Sequence, residues 1–361
     1  MSILQADRIK GGVPFTVVLG ALFLSLTGMY AVEPAVSLVI GSLTEKKEGA
    51  KPSDSGDLSS PFGVDFDSRG NMIIVELGGG RVHRLSPDGK FSTISGDGSK
   101  SYRGDDGPAS EATFDGMHNV AIGKDDAIYI ADSWNHCIRR IVPKTGMIST
   151  IAGTGEAGFG GDGGPATEAK FNFVMCITLN ATSDTIHVAD LKNLRIRAVD
   201  LRRGTVSTVA GNGKKGVPKD GALAIESPLV DPRAVASDSK GNLYVLERSG
   251  NALRVVRPDG RIYTVAGSGK RGPKDGPGLQ AELGSPKHIC VDDSDNVFIA
   301  DDANAAIRKY DPRAKLLTTV LGRGKSQPPI YLKRPHGVCF EKGKLYVVDT
   351  GNNRILRMDA P

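Results

Sequence analysis

An all-β fold, a six-bladed β-propeller of four-stranded blades closed by an N-terminal strand, is what this sequence predicts. Three observations carry that reading. A glycine-rich loop recurs along the chain, paired short apolar strands follow each copy, and the two ends of the chain supply complementary parts of one unit. The loops read "RGDDGPASEATF" at 103–114, "GFGGDGGPATEAKF" at 158–171, "PKDGALAIESPL" at 218–229 and "PKDGPGLQAELG" at 273–284. Recurrence at spacings of about 55 residues is the mark of a repeat architecture. It also answers the ligand reading of the second loop. No Lys-Ser or Lys-Thr follows its glycines to cradle a phosphate, and Asp162 has no alternating acidic neighbours to hold calcium. The loop is expected to punctuate structural units.

Each unit then begins with a short apolar strand, a polar turn and a second strand ending in an acidic residue. "HNVAIGKDDAIYIAD" and "KHICVDDSDNVFIAD" show the pattern, in runs rich in Val, Ile and Tyr. "DSRGN" and "DSKGN" suit tight hairpins, because Asp bonds the turn backbone and Gly accepts positive φ. Units start near residues 62, 118, 175, 233, 287 and 336. Five finish on a strand such as "MISTIAG" or "TVSTVAG", whereas the sixth stops after three strands. The missing strand is "AVSLVIG", with residues 36–40 expected to complete the last blade. Closure follows from physics, since an open sheet edge invites pairing with other chains. Residues 33–361 are therefore read as one propeller domain.

The runs "ADSWNHCIRR", "ADLKNLRIRA" and "ADDANAAIRK", which follow the second strands, resemble the NHL repeat, and the likeness extends over all six units. The resemblance implies a propeller that binds a protein, RNA or ligand. Similar six-bladed folds also include lactonases, strictosidine-synthase-like hydrolases and a zinc-dependent amidating lyase, so the fold alone assigns no activity.

Composition narrows the field. The 46 Lys and Arg against 41 Asp and Glu give a net charge of +5, with the charges interspersed. No basic stripe with interleaved aromatics runs along the chain, so nucleic acid is not the expected partner. Residues 1–32 carry Arg8 and Lys10 and then an apolar run centred on 13–31. This segment is expected to export the protein to a periplasmic or extracellular compartment, either cleaved or retained as a membrane anchor. Cys137, Cys176, Cys290 and Cys339 form no C-x-x-C pair and are read as free thiols.

Chemistry is then sought on the face shared by the starts of the inner strands, the ends of the second strands and the inter-blade loops, called here the upper face. The inner strands bring Phe62, His118, Met175, Arg233, Lys287 and His336 toward its centre. The acids ending the second strands are Glu76, Asp132, Asp190, Glu247, Asp301 and Asp349. Four of these are followed three residues later by Asn, which closes a turn locally. Glu76 and Glu247 have Gly79 and Gly250 at that offset, and are read as free to reach the opening. They are the candidate metal ligands, for calcium or another divalent cation. His288 is one residue out of register with His118 and His336, which argues against a three-histidine zinc site. Trp134, the only tryptophan, is a candidate recognition anchor. The expected ligand surface thus comprises Glu76, Glu247, His118, His336, Arg233, Lys287 and Trp134. A binding module for a protein or small molecule is the favoured function. A metal-dependent hydrolase, lactonase or lyase of the same fold is the alternative.

Overall fold

The computed structural model describes residues 35–42, 57–323, 326 and 329–361. The expected leader at 1–32 lies outside these residues. Among the described residues the only helical elements are short 3-10 turns, and no helix is long and apolar enough to cross a membrane.

Six antiparallel sheets account for the strands. Their inner strands are Pro61–Phe66, Met117–Ile122, Val174–Leu179, Pro232–Ser237, His288–Val291 and Pro335–Glu341. Each inner strand contacts the next and the sixth contacts the first, which makes the ring of a six-bladed β-propeller. The last blade is completed by Val36–Ile40, which pairs antiparallel with Arg354–Asp359. The N-terminal strand thus closes the ring as the sequence predicts. Ile40 and Val39 pack on the sixth blade's contact with the first, and Val36 and Leu38 on its contact with the fifth.

The turns form for the expected reasons. In "DSRGN", Asp67 Oδ1 accepts from the backbone N–H of Arg69 (3.1 Å) and Asn71 (2.8 Å), and Gly70 takes φ +79°. Apolar side chains from facing sheets fill the spaces between blades, with Phe114, Phe171 and Leu229 of the recurrent loops buried among them. That burial explains the repeat: each loop tucks an apolar residue beneath the next blade.

Buried arginines of the third strands hold three of the four loops. Arg197 Nη1 and Nη2 donate to the carbonyls of Lys170 and Gly160, both at 3.0 Å. Nη2 also meets Asp162 at 2.7 Å, and Asp162 accepts from Thr208 at 2.6 Å. Arg139 makes the same set to Thr113, Arg103 and Asp105, and Arg308 to Glu282, Lys274 and Asp275. Asp162 of the glycine-rich loop is thus the acceptor of a structural latch.

Candidate functional site

The starts of the inner strands converge on the axis. The Phe62 ring lies 4.6 Å from the His118 ring and 4.4 Å from the His336 ring, centroid to centroid, and the Arg233 guanidinium is 5.7 Å from its centre. Arg233 Nη1 donates to the Met175 carbonyl at 3.3 Å. Lys287 Nζ reaches Asp302 at 3.4 Å, and His336 Nε2 lies 3.7 Å from the same carboxylate. Five of the six expected ring residues, Phe62, His118, Met175, Arg233 and His336, are buried, and Lys287 is half-buried. The upper end of the channel is therefore packed shut around Phe62.

Burial and mutual repulsion lower the basicity of this group. Burial, then the charge of Arg248, brings Arg233 down to about 10. Burial, then Arg233, holds His118 well below the usual histidine range, so it is neutral at pH 7. His118 Nδ1 lies 2.6 Å from the Gly116 carbonyl, which can only accept, so that nitrogen carries the proton. Burial also lowers His336 and Lys287.

Glu76 and Glu247 lie elsewhere. Both are buried inside their blades, facing the third strand and not the opening. Glu247 Oε1 accepts from Val230 N–H at 2.7 Å, and Oε2 takes Arg254 Nη2 at 2.6 Å and Nε at 3.0 Å. Glu76 Oε1 accepts from Ser59 N–H at 2.5 Å, and Oε2 lies 3.2 Å from His83 Nε2. The four aspartates do the same with their Asn partners: Asn135, Asn193, Asn304 and Asn352 donate to Asp132, Asp190, Asp301 and Asp349 at 2.7–2.9 Å. The glycines explain the substitution. A Cβ on Gly79 would sit 1.8 Å from Glu76 Oε2, and one on Gly250 would sit 2.6 Å from Glu247 Oε2. Glycine vacates the space that the longer carboxylate fills, so Glu–Gly replaces Asp–Asn. A sequence signal for this exists: Glu76, Asp132, Asp190, Glu247 and Asp301 each precede a basic residue (His83, Arg139, Arg197, Arg254, Arg308) by seven positions. Among the described residues no three His, Cys, Asp or Glu side chains are grouped to hold a metal ion.

Trp134 sits on the 3-10 turn Ser133–Asn135 at 39% exposure, with Lys100 Nζ 5.3 Å from its ring centroid. Its indole packs over Gly116, where a Cβ would come within 2.4 Å of the ring. Other upper loops expose Tyr102 (39%), Phe159 (46%) and Tyr331 (69%). Phe159 carries Arg195 stacked 3.8 Å from its ring centroid. Lys214, Lys215, Lys270 and Arg271 occupy matching positions of "GNGKKG" and "GSGKRG", all exposed. Asp302 and Arg248, which no motif in the sequence singles out, complete the axial group. Each directly follows a second-strand acid and points along the upper face toward Lys287 or Asp231.

The channel's other end is open as a cavity of about 330 Å³, lined by all six inner strands. Its polar side chains join neighbouring blades. Asp65 accepts from Ile122 N–H (2.7 Å), Asn119 Oδ1 from Ile177 N–H (2.9 Å), and Cys176 Sγ donates to the Val235 carbonyl (3.5 Å). His288 lies at this level, 3.0 Å from Asn119 Nδ2, away from His118 and His336. An inner strand is a sheet edge with unpaired backbone groups, and these side chains satisfy them. All four cysteines are free.

The NHL repeat family matches residues 114–141 and 332–358. NHL repeat-containing protein 2 of Gallus gallus is 28% identical over 344 residues, covering 83% of this chain and 46% of that protein. The chain thus spans less than half the length of that relative. An auxiliary nutrient binding protein from Bacteroides ovatus superposes with TM-score 0.67 at 13% identity, over 91% of this chain and 76% of that one. A gluconolactonase from Xanthomonas campestris superposes with TM-score 0.57 at 12% identity, over 91% and 90%. The chain thus carries NHL repeats in its second and sixth blades, on the fold of a six-bladed propeller.

Proposed function

We propose that this chain is a binding module, exported by its apolar leader at 1–32, that takes a small-molecule ligand or a partner protein on its upper face. The fold itself does not choose between binding and catalysis, since one structural neighbour is named for nutrient binding and another for a lactonase. One observation carries the reading. The upper face gathers exposed aromatic anchors and basic loop tips (Lys214, Lys215, Lys270 and Arg271) that have no ion-pair partner among the described residues, around a buried cationic centre. Exposed aromatic side chains and basic side chains without an ion-pair partner are the usual anchors of a recognition surface. The carboxylates nearest the centre are committed internally, which favours an anionic or acidic partner. The test is paired capture from the native host. Trp134→Ser with Phe159→Ser and Tyr331→Ser should lose the species retained by the parent. A lower-face control, Lys240→Ser, should keep it. Equal retention by both variants would remove the upper face as the binding surface.

A further inference from the structure

The axial group holds more positive than negative charge, and some of its donors have nothing to bond. Arg233 is 2% exposed, its Nε has no acceptor, and no carboxylate lies within 4 Å of it among the described residues. The acids nearby are committed. Asp302 pairs with Lys287 and lies 3.7 Å from His336 Nε2, beyond hydrogen-bond reach, and Asp231 accepts from Arg248 Nε at 2.8 Å and Ser249 Oγ at 2.6 Å. Arg233, Lys287 and Arg248 against Asp302 and Asp231 leave a formal balance of three minus two, +1, with both histidines neutral. His336 is 3% exposed and neither ring nitrogen makes a hydrogen bond. A guanidinium held in the interior without a counter-ion is costly, and so is each donor left unsatisfied.

Resting on the upper-face reading, we propose that this end of the channel is a subsite for a single carboxylate. Arg233 Nε–H and a His336 ring N–H hold its oxygens, and Phe62 packs against the adjoining apolar carbon. Charge selects the class: a balance of +1 is neutralised by a monoanion, whereas a phosphate dianion would leave an excess negative charge in a buried site. The planar fork of arginine matches a carboxylate in shape as well as charge. The carboxylate arrives from the upper side, past half-buried Lys287, and Phe62 shifts to admit it. The lower cavity plays no part, because its polar groups join blades. Both a free organic acid and a polypeptide carboxylate carry this chemistry.

The experiment measures the melting temperature of the purified protein against sodium acetate at constant ionic strength, with acetamide as the neutral counterpart. Acetate should raise it saturably, by about 2 °C at tenfold the dissociation constant, and acetamide should not. Triglycine and its C-terminal amide separate the two sources: a polypeptide terminus is the natural ligand if triglycine binds tighter than acetate, a small free acid if it binds more weakly. Arg233→Met should abolish the acetate shift. Without ligand it should melt no lower than the parent, because it removes an uncompensated charge and keeps the volume. Should that variant not fold, line broadening of ¹³C-acetate by the parent, reduced in Lys287→Met, reads the same site. Absence of any acetate-specific shift, or its persistence in Arg233→Met, overturns the subsite. That failure is separable from failure of the upper-face reading, because the capture experiment leaves Arg233 and its neighbours unchanged.

Discussion

Replacing Arg308 with Met tests how the scaffold presents its binding loops. The Arg308 side chain is fully buried and its terminal nitrogens make four bonds: Nη1 to Asp301 Oδ2 and the Glu282 carbonyl, both at 2.8 Å, and Nη2 to Asp275 at 2.7 Å and the Lys274 carbonyl at 3.0 Å. Methionine roughly fills the aliphatic volume and supplies none of them. Asp301 keeps Gly284 N–H and Asn304 but loses its counter-ion inside the protein. Breaking one partner of a buried pair costs about 3–5 kcal/mol. For a domain of roughly 330 residues, with an unfolding entropy of about 0.7 kcal/mol/K, that is a drop of about 4–7 °C in melting temperature. The cost should depend on pH in a definite sense. Burial already raises the Asp301 carboxyl above the usual range, and loss of Arg308 raises it further. A raised folded-state pKa penalises the ionised form, so the deficit is full at pH 7 and shrinks as pH falls toward the unfolded value of about 4. Urea denaturation at pH 7 and pH 4.5 reads the effect, and hydrogen exchange should show the loop from 267 to 287 losing protection first. A cost below about 1 kcal/mol at pH 7, or one that grows on acidification, would refute the latch as the device that orders these loops.

Two further outcomes follow from the site. Glu247→Gln should lower stability by about 2–3 kcal/mol by leaving Arg254 without its anion, and millimolar calcium should not raise the parent's melting temperature. A calcium-dependent rise abolished by Glu247→Gln would restore this carboxylate as a metal ligand. Asp65 is raised to about 6 by burial, against the N–H groups of Ile122 and Phe66, which pull it down. Its stabilising share is therefore complete below about pH 4 and lost as pH rises through about 6, amounting to at most about 3 kcal/mol. The melting-temperature difference between parent and Asp65→Asn should narrow or reverse from pH 4 to pH 7, and a constant difference would contradict the assignment.

The ring itself was legible because a propeller is written as a period. Strand composition and the repeated loop set the blades, and "AVSLVIG" had nowhere else to pair. Residues at the starts of the inner strands were also placed correctly at one end of the axis, since their positions follow from strand direction alone. Direction along the third dimension was not legible. The missing Asn suggests that Glu76 and Glu247 are released, whereas the glycines make room for the extra methylene of the longer carboxylate. The seven-residue offset to His83 and Arg254 contains that information, but only once second and third strands are known to pair face to face. That the axial cluster is closed by Phe62 depends on ring stacking across three blades, which no local pattern encodes. Asp302 was hidden because it differs in kind from Ser133, Leu191 and Thr350 at the matching positions, so the repeat does not announce it.

Side-resolved crosslinking decides whether the upper face carries the partner. A photoreactive residue replaces Trp134 on the upper face in one preparation and Ser239, in the lower turn "DSKGN", in another, and each is irradiated in the native host extract. A discrete adduct is expected from position 134, suppressed by the unmodified protein as competitor, and none from position 239. An adduct confined to position 239 would place the partner on the opposite face and contradict the upper-face reading.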